Sequence, residues 1–465
     1  MTEKKKKKKN NEAPSQNSYS LVTIIIVSVG ASVFCQLVVP GLWKSLPHAC
    51  TSLHLPEYLC QRNQPKRFAL QRASSNKVGF LEEPFPVQPW KDVGNELARP
   101  VTIPDQPVDI SRVDEALAIT KAAKKFLQVG NVKTALKVME HAMELAPNVP
   151  DVLCGMGKAK ELSNDMIAAD ECYTKALVYD PQHTEASSRR AKTAPLVRTI
   201  DKKSLKAVHD LRDEFSSLQH TTALRHEMRE TYFLYVYHTV AIEGNTMSLG
   251  QTRAVLESGM AIPGKSIREH NEILGMDAAL RFLNLTLLGK NHDYISYEDV
   301  MELHHRVLGH VDPMEAGRLR RSQVYVGRFT PVPPEEVKEH MDQFIDWLND
   351  EETMKLDPIE RAAIAHYKLV LVHPFSDGNG RTARLLLNLI LMQSGFPPVI
   401  LRVETRAEYY ATLHVANLGD LRPFIRYVTT GVKESLQRYI SSVTTRMESK
   451  SIGEADTQPS STITP

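Results

Sequence analysis

The sequence predicts an all-α fold with one small β-hairpin and one N-terminal membrane-spanning helix. Apolar residues recur at helical spacing from about residue 111 onward, strand-like alternation is confined to 323–329, and an uncharged apolar run lies near the N-terminus. A chain of 465 residues is long enough for two or three domains. Its formal net charge is +2, but the six lysines at 4–9 supply +6 of it, so the remaining body is slightly acidic. No nucleic-acid partner is expected, because the one basic block is a tail and not a patch on a folded face. Five cysteines without C-x-x-C or Cys/His spacing make neither a disulfide scaffold nor a zinc site. Cys50 and Cys60, close together in a loop, could pair in an oxidising compartment or stay free.

Taken in order, residues 1–20 form a basic cytosolic tail and 21–43 a transmembrane signal anchor. The stretch 21–39 carries no charge and as a helix spans about 28 Å, close to the bilayer core. Trp43 follows at interface depth, and the lysine run in front keeps the N-terminus cytosolic, so the rest should be translocated. The rival, a cleaved signal peptide, is disfavoured by the length of the run and the lack of an A-x-A site. Residues 44–110 read as a stalk, broken by Pro84, Pro86, Pro89, Pro100, Pro104 and Pro107. Beyond it Ala135 recurs as Ala169, Ala142 as Ala176, Met143 as Leu177, Leu145 as Tyr179 and Pro147 as Pro181, each pair 34 residues apart. Small residues at those points let antiparallel helices pack closely, and the period resembles tetratricopeptide repeats, one over 114–148 and a second over 149–182. Two repeats are too few to stand alone, so they should lean on a linker helix at 183–217 and on the region 218–445. The Ser/Thr-rich tail 446–465 should be disordered.

The segment 373–384 reads HPFSDGNGRTAR and runs into an apolar helix, so its loop lies at a buried helix N-terminus. Free backbone N–H groups and the positive dipole end bind phosphate there, and Gly378 and Gly380 let a ligand approach the backbone. Asn379 can brace the loop by hydrogen bonding. Arg381 and Arg384 share a helix face and can reach different phosphates of one polyphosphate. Asp377 is a ligand type suited to Mg²⁺, and His373 can take a proton from a hydroxyl nucleophile. Phe375 reads as a core anchor. Taken together these residues fit the motif HxFx(D/E)GNGRxxR without departure.

That motif, with the similarity over about 225–430, resembles the metazoan Fic-domain protein adenylyltransferases of the endoplasmic reticulum. The resemblance implies a Fic-type core over about 294–430, ATP as substrate with Mg²⁺ (or Mn²⁺), and the lumenal heat-shock-type chaperone BiP as protein target. It implies His373 as general base and Asp377 as metal ligand, with Gly378, Asn379, Gly380 and Arg381 around the α- and β-phosphates. Thr382 and Ala383 would line the site, and Arg384 would hold the γ-phosphate. Val326, Gly327, Arg328 and Phe329 would belong to the flap hairpin, and Tyr409, Tyr410 and Asn417 to the adenine pocket. The sequence TVAIEGN at 239–245 resembles the family's inhibitory helix (231–245), in which Glu243 pairs with Arg384 and also serves removal of AMP. Independently of the resemblance, Gly244 stops a helical pattern just after Glu243. An anion in the last turn is disfavoured by a few tenths to about 1 kcal/mol unless a cation faces it. Ile267 resembles the family's dimer surface, and Asn284 opens a glycosylation sequon. His304, His305 and His310 near Glu302 lack metal-site spacing and read as ordinary helix residues. Two alternatives stand beside this reading: a transferase of another phosphate-containing group, and a chaperone-binding scaffold with a silent Fic core.

Overall fold

The computed structural model describes residues 110–218, 221–289, 293–327 and 329–455, with side chains to 443. The membrane anchor 21–43, the stalk 44–110 up to its last residue, the Cys50–Cys60 pair and Arg328 lie outside the described residues. Among the described residues no helix is long and apolar enough to cross a membrane.

Four helices open the described chain: α1 (Ile110–Gln128), α2 (Val132–Leu145), α3 (Pro150–Leu162) and α4 (Met166–Tyr179). Consecutive members pack against each other, and the recurring small residues Ala135, Ala142, Ala169 and Ala176 are all fully buried at these contacts. Side-chain caps start the second helix of each pair: Asn131 accepts from Thr134 N–H and Asp165 from Ala168 N–H. A 34-residue helix, α5 (Thr184–Ser217), follows and stays helical through Pro195.

The remaining helices build one large core: α6 (Thr222–Ile242), α7 (Leu249–Ser258), α8 (Ile267–Phe282, continued by a π turn at Leu283–Leu287), α9 (Tyr297–Gly309), α10 (Val337–Asn349), α11 (Glu351–Met354), α12 (Pro358–Val372), α13 (Asn379–Gln393), α14 (Arg406–Asn417) and α15 (Arg422–Ala455). At its centre lies α13, which is buried along nearly its whole length because Leu385, Leu386, Leu387, Leu389, Ile390 and Leu391 leave no polar face. Its one interior amide, Asn388, is satisfied by both backbone groups of Val399, at 3.1 and 2.7 Å. It packs chiefly on α12, and also on α9 and α6. These neighbours bring the loop 373–378, the start of α13 and the end of α6 to one place.

Three expectations change. No ladder forms at 323–329: Val326 and Phe329 make one isolated antiparallel bridge around Gly327. Pro331, Pro333 and Pro334 remove the backbone donors a longer hairpin would need. The helix carrying Glu243 begins at Thr222, well before residue 231, because Thr221 caps it by accepting from Leu224 N–H at 3.1 Å. The last helix runs to Ala455, into the tail expected to lack structure, carried by helix formers such as Met447, Glu448 and Lys450.

Buried charge joins the first helices to the last. Arg422 on α15 binds Asp170 of α4 and Asp420, both at 2.7 Å, while Arg426 binds Asp201 of α5 at 2.8 Å and Glu171 at 2.7 Å. Arg422→Ala would remove the one guanidinium paired with both buried carboxylates, Asp170 and Asp420, and leave them only the longer-range charge of Arg190 and Arg426. It is expected to cost about 3–5 kcal/mol, read as a lowered midpoint in chemical denaturation; a change below about 1 kcal/mol would mean that these carboxylates are effectively solvated.

Candidate functional site

The α12 helix ends at His373, whose backbone is left-handed (φ 49°), a conformation a non-glycine residue holds only under restraint. The restraint is Arg320. Its Nε donates to the His373 carbonyl at 2.8 Å, its backbone N–H donates to the Pro374 carbonyl at 2.9 Å, and its other nitrogens reach the carbonyls of Ser322 and Val332. His373 Nδ1 lies 3.2 Å from the Val370 carbonyl. A carbonyl only accepts, so Nδ1 carries the proton and Nε2 keeps its lone pair. Burial lowers the pKa of this imidazole, which is therefore neutral and able to act as a base at neutral pH.

Asn379 closes the loop: its Oδ1 accepts from Phe375 N–H at 3.0 Å and its Nδ2 donates to the Phe375 carbonyl at 2.8 Å. Gly378, with φ 80°, turns the chain into α13. Asp377 Oδ1 accepts from Gly378 N–H at 2.6 Å and from Arg381 Nη2 at 3.0 Å, and Oδ2 from Arg268 Nη2 at 2.6 Å. Burial alone would raise this carboxyl's pKa, but Arg381, the Gly378 N–H and Arg268 outweigh it and hold the group ionised. Arg381 and Arg384 are each only 2% exposed. Arg381 Nε and Nη1, Arg384 Nη1 and Thr382 Oγ1 are buried with no hydrogen-bond partner among the described residues. Four unsatisfied donors thus lie within the first two turns of α13, and an anion with several oxygens is the kind of ligand that would satisfy such donors at a helix N-terminus.

One protein anion already reaches this segment. Arg384 donates from Nη2 to Glu243 Oε1 at 2.7 Å and to the Thr239 carbonyl at 2.8 Å, and from Nε to Thr239 Oγ1 at 2.8 Å. A Cβ at position 380 would lie 2.3 Å from Glu243 Oε1, so Gly380 is what lets the carboxylate approach α13.

The other residues singled out from the sequence are placed as follows. Ala383 is fully buried within α13. Tyr409 is also buried, its hydroxyl 3.0 Å from His366 Nε2, so it packs as a core anchor, while its neighbour Tyr410 is 41% exposed. Asn417 accepts from the Tyr367 hydroxyl at 3.1 Å. Val326, Gly327 and Phe329 form the bridged turn described above. Ile267 stands 79% exposed at the first turn of α8. Asn284 sits half-buried in the π turn and not in an exposed loop.

Sequence reasoning missed three residues. His304 is not an ordinary helix residue: its ring stacks on Phe375 with centroids 3.6 Å apart and 7° between planes. Its Nδ1 accepts from Gly317 N–H and its Nε2 donates to the Asp377 carbonyl, both at 3.0 Å. Arg320 and Arg268 also act across long sequence separations, and no local pattern marks any of the three. Among the described residues no cluster of His, Cys, Asp and Glu could hold a metal unaided. Asp377 supplies a single carboxylate, which suits a cation carried in by phosphates.

Residues 294–391 match the Fic/DOC family. The chain is 57% identical over 446 residues to the protein adenylyltransferase fic-1 of Caenorhabditis briggsae, covering 93% of this chain and 87% of that protein. It is 47% identical over 332 residues to the protein adenylyltransferase Fic of Culex quinquefasciatus, covering 71% of this chain and 66% of that protein. The solved structure of Fic-1 from C. elegans is similar with a TM-score of 0.68 at 66% identity, covering 71% of this chain and 99% of that one.

The buried His304 ring gives the loop a pH dependence. Burial lowers its pKa from 6.5 to about 4, so its contribution to stability is complete above pH 6.5 and is lost as pH falls through 4. The wild type should therefore lose roughly 2–3 kcal/mol more than His304→Gln between these limits, measured by denaturation at each pH; parallel curves would contradict the assignment.

Proposed function

The chain belongs to the Fic/DOC family and is a protein adenylyltransferase, and from that premise we propose that it moves AMP from MgATP onto a Thr or Ser hydroxyl of a lumenal BiP-like chaperone, is restrained by Glu243, and also removes AMP from the modified chaperone. The observation that carries the reading is the neutral His373 beside a cradle of buried, unpartnered donors, one of whose arginines is held by Glu243 at 2.7 Å.

In the forward direction the target oxygen attacks the α-phosphorus while the bond from that phosphorus to the pyrophosphate oxygen breaks. His373 Nε2 takes the hydroxyl proton. The free N–H groups at the start of α13 and the guanidinium of Arg381 receive the charge that develops on the phosphate oxygens, and Arg384, once free, holds the γ-phosphate. A bound magnesium ion would supply divalent charge against that of the nucleotide, and the ionised, half-exposed Asp377 carboxylate is a fitting ligand for it. With Glu243 on Arg384 the γ-phosphate has no guanidinium to hold it. In that state the Glu243 carboxylate would orient water toward the phosphorus of an AMP-modified side chain, returning AMP and the free hydroxyl.

The same reading assigns the turn at 326–329 to docking of the target backbone, Tyr409, Tyr410 and Asn417 to the adenine side, and the helix pairs over 110–179 to the chaperone. It makes the protein a type II membrane protein of the endoplasmic reticulum, anchored by 21–43, glycosylated at Asn284 and dimeric through Ile267. The anchor and its preceding lysines support the topology.

The test uses the chain with purified BiP and ATP labelled at the α-phosphate. Glu243→Gly should raise transfer roughly 10²-fold, since it frees a transition-state donor, and adding His373→Ala should remove roughly 10²–10⁴-fold of it. AMP-modified BiP should lose its label with wild type and keep it with Glu243→Gly. An unlabelled chaperone despite ATP binding would mean that the AMP goes to a different protein target.

A further inference from the structure

We infer that Arg268 competes internally with the metal ion: before nucleotide binds, its guanidinium occupies the carboxylate oxygen that the divalent cation needs, and the arriving cation displaces it. The inference rests on Asp377 being the metal ligand, as proposed above.

The two oxygens of Asp377 are used differently. Oδ1 is taken by groups that belong to the cradle, the Gly378 N–H at 2.6 Å and Arg381 Nη2 at 3.0 Å. Oδ2 is met by Arg268, which reaches it at 2.6 Å from the first turn of α8. The two arginines differ in freedom. Arg381 is 2% exposed and fixed inside the core, whereas the Arg268 side chain is 63% exposed. Arg268 also has a second anion at hand, because its Nε lies 3.3 Å from Glu272 Oε1 one helical turn further on. When a cation takes Oδ2, Arg268 can turn to Glu272 and remain paired. A guanidinium and a divalent cation drawn to the same carboxylate oxygen repel each other and compete for its charge, so the contact at 2.6 Å opposes the metal. An exposed ion pair is weak, which sets the scale of the competition at about two- to fivefold in metal-dependent affinity.

The experiment is a calorimetric titration of ADP into the full chain, in Mn²⁺ and in EDTA; ADP has no γ-phosphate to contend with Glu243. The quantity read is the ratio of the two affinities. Arg268→Ala should enlarge that ratio by about two- to fivefold and should not tighten ADP in EDTA. Arg281→Ala, which removes another exposed arginine of α8, should leave the ratio as in wild type. An unchanged or smaller ratio in Arg268→Ala, while Asp377→Ala abolishes the Mn²⁺ effect, would overturn this inference and leave the metal-ligand reading intact. A Mn²⁺ effect that survives Asp377→Ala would overturn both.

Discussion

Two guanidinium groups are buried in the first two turns of α13, a helix enclosed along nearly its whole length, and the arrangement around them follows from that fact. A cation taken out of water must meet an anion or fill its donors. Arg381 meets Asp377, and Arg384 meets Glu243, yet three of their N–H-bearing nitrogens still lack an acceptor among the described residues. This partial satisfaction is costly for the resting protein, and in the proposed reaction a polyphosphate that takes the place of Glu243 supplies the missing acceptors. In the proposed reading the Glu243 carboxylate, paired with Arg384 at 2.7 Å, is the internal substitute for a ligand anion. Its removal exposes the guanidinium to whatever anion comes next.

The frame makes the substitution possible. The helices α12 and α13 pack against each other, and the loop between them opens with His373 in a left-handed conformation. Arg320 holds that conformation through two consecutive carbonyls, and His304 supports the loop from beneath by stacking on Phe375. The base, the cradle and the end of α6 are thus set by rigid contacts at three helix ends. In the proposed reaction this leaves little to reorganise when charge develops on the phosphate oxygens.

The legibility of this in the sequence depended on distance along the chain. The loop glycines, the arginines at 381 and 384, and the apolar run after them lie within a few helical turns, so their chemistry could be read directly. Glu243 could be suspected from local physics alone, as an anion at a helix end followed by Gly244. Arg320, Arg268 and His304 could not, because each acts on residues more than fifty positions away and no local pattern marks it. The turn at 323–329 was legible in alternation but not in extent, since the prolines that cut the ladder short lie outside the alternating stretch. The start of α6 depended on a threonine cap that hydrophobic periodicity does not detect.

The central claim is that one guanidinium, Arg384, serves either Glu243 or a nucleotide phosphate, never both. Crystal structures of the MgATP complexes of wild type and Glu243→Gly test it most directly. The account predicts that in Glu243→Gly the Arg384 guanidinium lies on the γ-phosphate with the α-phosphorus open to attack opposite the leaving pyrophosphate, and that in wild type Arg384 stays on Glu243 with the triphosphate out of line. A wild-type complex in which Arg384 has left Glu243, or in which the triphosphate is in line while the pair persists, would contradict it.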